Sequence, residues 1–311
     1  MAERKAGRDG MGYMVFDIGG SAVKYGFAAE EGKLSEKGSF PSSQNDFSVL
    51  LGRMGEIYDE YSQRHGIEGI AVSAPGFVDC ESGIIGGTSA LPCIHGFPIR
   101  DAIKERMAGL PTAIENDGNC GALGEYWKGA GKGMKSMAAL VCGSGIGGGY
   151  VNQGKILRTA HHSASEFGFM PLASERGRTL PWSDFSVVNT AKRYNLDHGT
   201  AFTAKELFDL AEKEKGNSEA ADCVSRFYHY LAVGCMAVSF ALDPEVIVIS
   251  GAVSVRSNFE ERLRCALDEI IGEREMLRQM KSEIRVSKLG NDANLYGALY
   301  HLLGCMERKK A

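Results

Sequence analysis

The sequence predicts an α/β protein made of two related lobes. The chain has 311 residues, whereas a single domain usually contains roughly 100–200. Two segments in different halves of the chain share one pattern: a strand, a glycine-rich turn and an alternating strand that returns antiparallel. After the first of these two segments, strand-like and helix-like patterns alternate along the chain. These observations favour two lobes that arose by internal duplication, with a cleft between them.

The first half begins with an antiparallel meander. Short alternating apolar runs, separated by glycine-containing turns, predict strands over 13–18, 23–29 and 33–40. An amphipathic pattern predicts a helix over 46–64. Alternation of strands and helices follows, and it predicts a strand at 67–72, a helix near 99–109, a strand at 111–115 and a helix from Asp117 to about Trp127.

The second half begins with another meander. The segment SMAALVCGSGIGGGYVNQGKIL, from residue 136, predicts three strands joined by glycine-containing turns. The remainder is mostly helical, with strands at 246–250 and 283–287 and a last helix near 292–304. Because no low-complexity linker separates the halves, we place the boundary near 128–136 and expect lobes of residues 1–130 and 131–311.

The composition excludes several classes of protein. With 44% hydrophobic residues, 24% charged residues and a net charge of -4, the chain lacks the basic balance of nucleic-acid-binding proteins. The longest apolar stretch, Leu231 to Leu242, is shorter than the roughly 20 residues that span a bilayer. The first ten residues lack the apolar core of a signal peptide. Eight scattered cysteines without a CxxC pair predict reduced thiols, and we expect a cytoplasmic protein.

The glycine-rich turns are candidate phosphate-binding sites. A dinucleotide fingerprint requires a helix after its glycines, and both turns here lead into strands; neither contains a P-loop. Backbone amides of such hairpin turns can face phosphate oxygens, and Asp17, at the end of the first strand, suits a hydrated Mg²⁺. The alternative interpretation is that these glycines serve only the geometry of the hairpins.

Two acidic residues are candidates for chemistry on a sugar. Asp117, after Asn116 at a strand-to-helix junction, is either a helix cap or a base that accepts a proton from a hydroxyl attacking phosphorus. Glu166 either binds vicinal hydroxyls or is a surface or cap residue. The adjacent His161 and His162 have no metal-ligand spacing, and we expect them to be solvated or locally bonded.

In order along residues 13–302, the chain resembles the ROK family of sugar kinases, members of the actin-like ATPase superfamily. DIGGSAVKYG resembles the first phosphate motif, VSAPGFVDCESGII the sugar loop, and ENDGNCGALGE the catalytic segment. GSGIGGGYVNQG resembles the second phosphate motif, LDPEVIVISGAVS the adenosine segment, and LGNDANLYGALY the closing helix. The resemblance implies a two-lobed, actin-like (ribonuclease H-like) fold with the active site in the cleft between the lobes.

The resemblance also implies residue roles. The activity would be ATP- and Mg²⁺-dependent phosphorylation of a hexose or hexoside at its 6-hydroxyl. Glucose or a β-glucoside is favoured, and N-acetylmannosamine or fructose is possible.

Asp117 would be the base, with Asn116 and Glu166 on sugar hydroxyls and Gly76 lining the same pocket. The implied nucleotide-side residues are Asp17 near Mg-ATP, Gly19, Gly20, Ser21, Lys24, Gly143, Ser144 and Gly145 around the phosphates, and Gly251 against the adenosine. We expect a small-molecule sugar as partner and a homodimer, without nucleic acid or membrane.

One region departs from the family pattern. Family members usually follow the sugar-binding glutamate with a Gly-His pair and a cysteine-rich loop that bind zinc, and the histidine contacts the sugar near its anomeric carbon. Here Phe169 stands in place of the histidine, and PLASERGRTLPWSDFS contains no cysteine. We therefore expect no zinc site. Phe169 either offers the sugar an apolar face or fills the volume of the lost site.

Three other functions compete with a kinase. The family includes repressors with an N-terminal DNA-binding domain, and Asp17 is too close to the start of the sequence to expect one here. A non-catalytic sugar sensor is the stronger alternative, although it would be expected to lose the base, and Asp117 is present. An actin-like polymerising or chaperone ATPase would need neither the sugar loop nor Glu166.

Overall fold

The computed structural model describes residues 10–29, 31–43, 45–175, 177–213 and 218–308. The strands are β1 (Met11–Ile18), β2 (Ala22–Ala29), β3 (Leu34–Pro41), β4 (Gly66–Ala74), β5 (Phe77–Asp79), β6 (Ile84–Gly86), β7 (Thr112–Asn116), β8 (Ser136–Cys142), β9 (Ile146–Asn152), β10 (Lys155–Ile156), β11 (Pro171–Glu175), β12 (Arg178–Pro181), β13 (Val246–Ser250) and β14 (Glu283–Val286). The helices are α1 (Phe47–Arg64), α2 (Ile99–Arg106), α3 (Asp117–Trp127), α4 (Val187–His198), α5 (Ala204–Lys213), α6 (Ser218–Leu242), α7 (Phe259–Ile271), α8 (Glu275–Gln279) and α9 (Ala293–Arg308).

The described residues form two compact units. The first contains residues 10–128, 158–163 and 291–308, and the second contains 129–157 and 164–290. The chain leaves the first unit between Lys128 and Gly129. A single division near residue 130 would group α9 with the second half, whereas its contacts group it with the first unit, because α9 packs on α3 and on the central strands of the first sheet.

Each unit contains a five-stranded sheet, and the two sheets have the same topology. The first has the order β3-β2-β1-β4-β7, in which β1, β2 and β3 pair antiparallel while β4 and β7 continue in parallel. The second has the order β10-β9-β8-β13-β14 with the same directions. This correspondence supports the internal duplication inferred from the two glycine hairpins.

Most predicted elements are confirmed, with ends that differ from the structure by four residues at most. The helix predicted over 46–64 is α1, and the Asp46 carboxylate caps it by accepting from the backbone N–H groups of Ser48 and Val49. Two short hairpins, β5–β6 and β11–β12, were not predicted. Strands of three to five residues carry too little periodicity to be distinguished from turns.

The α3 and α9 helices cross at glycines. A Cβ atom at Gly297 would overlap the carbonyl oxygen of Cys120, and a Cβ atom at Gly124 would overlap the carbonyl oxygen of Ala293. The backbones can approach this closely only because these positions lack side chains. The crossing therefore places α9 directly against the helix that begins at Asp117.

Two further observations bear on the environment of the chain. Among the described helices, including the 25-residue α6, none is both long and apolar enough to cross a membrane. All eight cysteines lie in the described ranges and are free thiols; Cys120, Cys142 and Cys235 are buried.

Candidate active site

A row of polar side chains crosses the first sheet where its parallel strands end. Asp17 on β1 is in register with Ser73 on β4, which is in register with Glu115 on β7. All three residues are buried. Buried polar groups of this kind require hydrogen-bond partners, and α3 and α9 pack on this face of the sheet. The residues of the candidate site in this unit lie on or next to this row.

Asp17 is held by three neighbours in the first unit. Its Oδ1 accepts hydrogen bonds from Ser73 Oγ at 2.7 Å and from Asn294 Nδ2 at 3.1 Å. Its Oδ2 faces Lys24 Nζ at 3.6 Å, and the Lys24 side chain is 42% exposed. One carboxylate oxygen is therefore fixed by neutral donors, and the other faces a partly exposed cation.

The junction of β7 and α3 orients Asn116 and Asp117. The Asn116 side chain is the helix cap, since its Oδ1 accepts from the backbone N–H of Asn119 at 3.0 Å. The interpretation of Asp117 as the cap is therefore wrong: Asp117 is the first residue of α3. Its Oδ1 accepts from the Gly118 N–H at 2.8 Å and from Asn116 Nδ2 at 3.1 Å.

The electrostatic environment gives Asp117 the properties of a base. Burial raises the pKa of Asp117 to about 6, and the negative charge of Asp17 contributes in the same direction. Hydrogen bonds from Gly118 and Asn116 oppose this change by stabilising the ionised form. A carboxylate with this pKa is ionised at neutral pH and is still a stronger proton acceptor than an exposed aspartate.

Gly76 connects the predicted sugar loop to this junction. Asn116 Nδ2 donates to the Gly76 carbonyl oxygen at 3.0 Å. Gly76 has a φ of +103°, and a Cβ atom there would lie 2.6 Å from Ile85 Cγ2 and 2.9 Å from His95 Cε1. Both the backbone conformation and the close packing therefore require glycine at this position.

Glu115, which the sequence prediction missed, lies behind the junction. It accepts from the Asn116 backbone N–H at 2.8 Å and from Asn119 Nδ2 at 3.1 Å, and it forms an ion pair with Arg158. His301 on α9 lies 3.7 Å from the same carboxylate. The available signal was a glutamate directly after the apolar Ala113 and Ile114 in a predicted strand, because buried parallel strands normally read as near-continuous apolar runs.

The first glycine turn is closed by its own backbone. Gly19 N–H donates to the Ala22 carbonyl oxygen at 3.0 Å, and Ser42 Oγ donates to the Gly19 carbonyl oxygen at 2.5 Å. A Cβ atom at Gly20 would lie 2.9 Å from Ala90 Cβ, while Ser21 is exposed. Gly19 therefore shapes the turn and donates its amide hydrogen within it.

The second glycine turn, in the other unit, is supported by two serines. Gly143 N–H donates to the Gly145 carbonyl oxygen at 3.0 Å, and Ser186 Oγ donates to the Ser144 carbonyl oxygen at 2.8 Å. Ser183 Oγ accepts from the Ile146 N–H at 3.1 Å. A Cβ atom built at Gly143 would meet no atom within 4 Å, so there is open space beside the turn.

Gly251 lies next to this turn in the second unit. It has a φ of +107°, and a Cβ atom there would overlap the carbonyl oxygen of Cys142, the last residue of β8. The end of β13 therefore approaches the glycine turn closely only with glycine at 251.

Glu166 and Phe169 belong to one short 3₁₀ turn of the second unit. The Phe169 N–H donates to the Glu166 carbonyl oxygen at 3.1 Å. Phe169 is 75% exposed, which argues against the alternative that its ring fills the volume of a lost zinc site. The β11–β12 hairpin follows, where the family pattern has its cysteine-rich loop. His161 and His162, which lie in the first unit, are exposed as expected.

Comparison with known proteins confirms the resemblance to the family. The family model described as "ROK family" matches residues 13–304. A β-glucoside kinase of Listeria monocytogenes is 32% identical over 295 residues, which cover 93% of this chain and 96% of the relative. A glucokinase of Halalkalibacterium halodurans is 28% identical over 322 residues, with coverage of 92% and 93%.

A solved structure supports the fold. A ROK family protein of Streptococcus pneumoniae, crystallised in complex with sucrose, has a TM-score of 0.84 and 30% identity, with 97% of this chain and 99% of that chain covered. The chain therefore belongs to the ROK family, and its two repeated sheets are those of the two-lobed actin-like ATPase fold.

Proposed function

We propose that the protein is a sugar kinase that transfers the γ-phosphoryl group of ATP to the 6-hydroxyl of a hexose or hexoside. The observation that carries this proposal is the Asp117 carboxylate, which is held by Gly118 and Asn116 and has its pKa raised by burial to about 6. A non-catalytic sugar sensor would not need such a base. The relatives named as a β-glucoside kinase and a glucokinase support the same class of reaction.

In the proposed reaction, Asp117 accepts the proton of the 6-hydroxyl while the hydroxyl oxygen attacks the γ-phosphorus. A new oxygen–phosphorus bond forms, the bond to the bridging oxygen breaks, and ADP leaves with that electron pair. Asn116 orients Asp117 and connects it to Gly76 in the sugar loop. We assign Glu166 and Asn116 to hydroxyl groups of the sugar.

The nucleotide side of the proposal rests on the two glycine turns. We assign Asp17, Gly19, Gly20, Ser21 and Lys24 of the first unit, and Gly143, Ser144, Gly145 and Gly251 of the second, to Mg-ATP. The open space beside Gly143 suits phosphates, and the buried Asp17 carboxylate suits a hydrated cation. Magnesium bound with ATP would supply positive charge that neutralises the phosphates.

The favoured substrate is glucose or a β-glucoside. The exposed Phe169 ring provides an apolar surface on which a sugar ring or an aromatic aglycone could stack, instead of a hydrogen-bonding group. The β-glucoside kinase among the relatives is consistent with this choice. We further expect a homodimer and, from the eight free thiols, a cytoplasmic location.

A coupled assay for ADP release tests the proposal. The purified protein is incubated with Mg-ATP and each of glucose, cellobiose, an aryl β-glucoside, N-acetylmannosamine and fructose. We expect sugar-dependent ADP release with a product phosphorylated at the 6-position. Binding of a sugar without ADP release would instead favour the sensor, and ADP release that no sugar stimulates would favour an actin-like ATPase of another kind.

A further inference from the structure

The ion pair between Glu115 and Arg158 lies directly behind the proposed base. Glu115 immediately precedes Asn116 and Asp117, and its side chain is fully buried. Both terminal nitrogens of the Arg158 guanidinium contact the carboxylate: Nη1 donates to Oε1 at 3.3 Å, and Nη2 donates to Oε2. This two-point contact fixes the plane of the carboxylate as well as its position.

Glu115 is also the point at which several separate segments of the first unit meet. Cys80, which follows β5 of the sugar loop, donates its thiol to Oε2 at 3.6 Å. His301 on α9 lies 3.7 Å from the same oxygen. Arg158 arrives on the segment 158–163, which packs with the first unit although the chain before and after it belongs to the second.

Glu115 joins the start of α3 to Arg158, because Oε1 contacts the α3 cap and both carboxylate oxygens contact the guanidinium. Oε1 accepts the Asn116 backbone N–H and the Asn119 amide, which are the two sides of the α3 cap. Oε2 accepts from Arg158 Nη2 and from the Cys80 thiol, while Arg158 Nη1 also donates to Oε1. Burial alone would raise the pKa of Glu115, but the charges of His301 and Arg158 hold it below its usual value, so the carboxylate stays ionised.

These contacts argue against a metal ion in the same place. Cys80, Glu115 and His301 each present a ligand atom, all within 4.8 Å of one another. Arg158, however, already neutralises Glu115 and contacts both of its oxygens. A cation would have to displace the guanidinium, so the cluster is organised as an ion pair between the buried Glu115 and the partly exposed Arg158.

We propose that Glu115 and Arg158 are a positioning pair, which holds the Asn116–Asp117 junction in the geometry that phosphoryl transfer requires. The inference rests on the proposed kinase function and assigns to it two residues that do not touch the substrate. Displacement of a base by about 1 Å can reduce turnover about 100-fold. The pair therefore acts on kcat through the orientation of Asp117.

Four variants test the pair in the full-length protein: Arg158→Met, Arg158→Lys, Glu115→Gln and the double variant Arg158→Met/Glu115→Gln. We expect Arg158→Met to lower kcat by about 10–100-fold while the KM for ATP stays the same. Arg158→Lys should recover part of the loss, because it restores the charge without the two-point contact. The double variant should lose less than the product of the single losses, because it does not leave the buried Glu115 carboxylate without Arg158.

Arg106→Met is the matched control, since Arg106 forms an ion pair with Asp59 at 2.6 Å on the exposed surface of the same unit. It should leave kcat unchanged. Thermal unfolding of every variant separates loss of folded protein from loss of turnover per folded molecule.

The two proposals fail in different ways. A wild-type protein without sugar-dependent turnover overturns the kinase function, and the positioning pair with it. Normal wild-type turnover together with unchanged kcat in Arg158→Met overturns the pair alone. Independent, multiplicative losses in the double variant, or a loss in Arg158→Met that lysine does not relieve, would also overturn it.

Discussion

The Asn116 amide nitrogen donates to the carboxylate of the next residue, Asp117, at 3.1 Å. The same nitrogen donates to the Gly76 carbonyl oxygen at 3.0 Å, so both amide hydrogens are engaged within the protein. Asn116 Oδ1 meanwhile caps α3. In this arrangement Asn116 contributes to the orientation of Asp117, and the oxygen rather than the nitrogen is the group with capacity left for a sugar hydroxyl.

Replacing Asn116 should therefore shift the pH dependence of the enzyme. With wild-type protein, kcat/KM should fall below about pH 6 as Asp117 is protonated. Asn116→Ala removes a hydrogen bond that favours the ionised carboxylate, so this decline should begin at higher pH. The measurement is kcat/KM for the best sugar from pH 5 to 8. An unchanged acid limb would show that Asn116 does not tune the base.

Removing the Asp117 carboxylate should strongly reduce turnover while sugar binding is retained. Asp117→Asn has nearly the same shape and can still accept the Gly118 N–H, but it cannot take up the proton of the 6-hydroxyl. We expect turnover to decrease by about 10²–10⁴-fold, the usual contribution of a general base. Calorimetric titration with the sugar provides the control for binding. A variant with near-native turnover would exclude Asp117 as the base.

The same substitution should stabilise the protein at alkaline pH. The pKa of Asp117 is about 6 in the folded chain and close to 4 in the unfolded chain, so the folded state binds this proton more tightly. Binding of this proton therefore stabilises the folded state fully below about pH 4, and the stabilisation is lost as the pH rises through 6. Asp117→Asn avoids this loss, which amounts to at most roughly 3 kcal/mol.

Urea unfolding of wild type and Asp117→Asn at pH 4.5 and pH 8 measures this effect. The stability advantage of the variant should be larger at pH 8 than at pH 4.5. An advantage that is the same at both values would mean that ionisation of Asp117 carries no energetic cost in the folded protein.

The purified protein should contain no stoichiometric zinc. Structural zinc sites need Cys or His ligands at set spacing, and residues 171–186 contain neither. In the described part of that segment, the β11–β12 hairpin is held by its own backbone ladder. Metal analysis after dialysis tests the expectation. If one zinc per chain were found, loss of that zinc in Cys80→Ser would locate it at the Glu115 cluster.

Because of Phe169, we expect only weak discrimination between sugars that differ at the anomeric carbon. A phenyl ring offers stacking but no hydrogen bond, and apolar contacts discriminate between substrates far less than hydrogen-bonding sites do. We expect both glucose and cellobiose to be phosphorylated and expect Phe169→His to change the ratio of their kcat/KM values. If cellobiose is inert and the ratio does not change, specificity resides elsewhere in the site.

The elements of the fold were predictable where the signal is local. Helix α1 follows from its amphipathic pattern and the Asp46 cap, and the glycine hairpins follow from turn chemistry. The short strands β5, β6, β11 and β12 depend on pairing partners, which periodicity does not reveal. The return of α9 to the first unit is likewise a tertiary event, since no feature of its own sequence specifies which sheet it covers.

The residues of the candidate site likewise divide into those with a local sequence signal and those that depend on the tertiary structure. Asp17, Asn116 and Asp117 were predicted because acids and amides at the ends of strands stand out in the sequence. Asn294 and Arg158 were not, because each reaches the site from a distant segment. Asn294 is 277 residues from Asp17, and Arg158 is 43 residues from Glu115. Such partners become visible only when the topology brings strand ends and helix faces together.

The late position of α9 in the chain sets the order in which the protein can mature. During synthesis, the segment that forms β1, β4, β7 and α3 emerges before the whole of the second unit, while the helix that covers this sheet emerges after it. Until α9 is synthesised, α3 therefore lacks the helix that packs against it, and Asp17 lacks its hydrogen bond from Asn294. Domains usually fold one after another from the N-terminus, but here the first unit is completed last. A fragment ending at Lys128 would thus lack part of its own core, and the surroundings of the Asn116–Asp117 junction are completed only when almost the entire chain has been made.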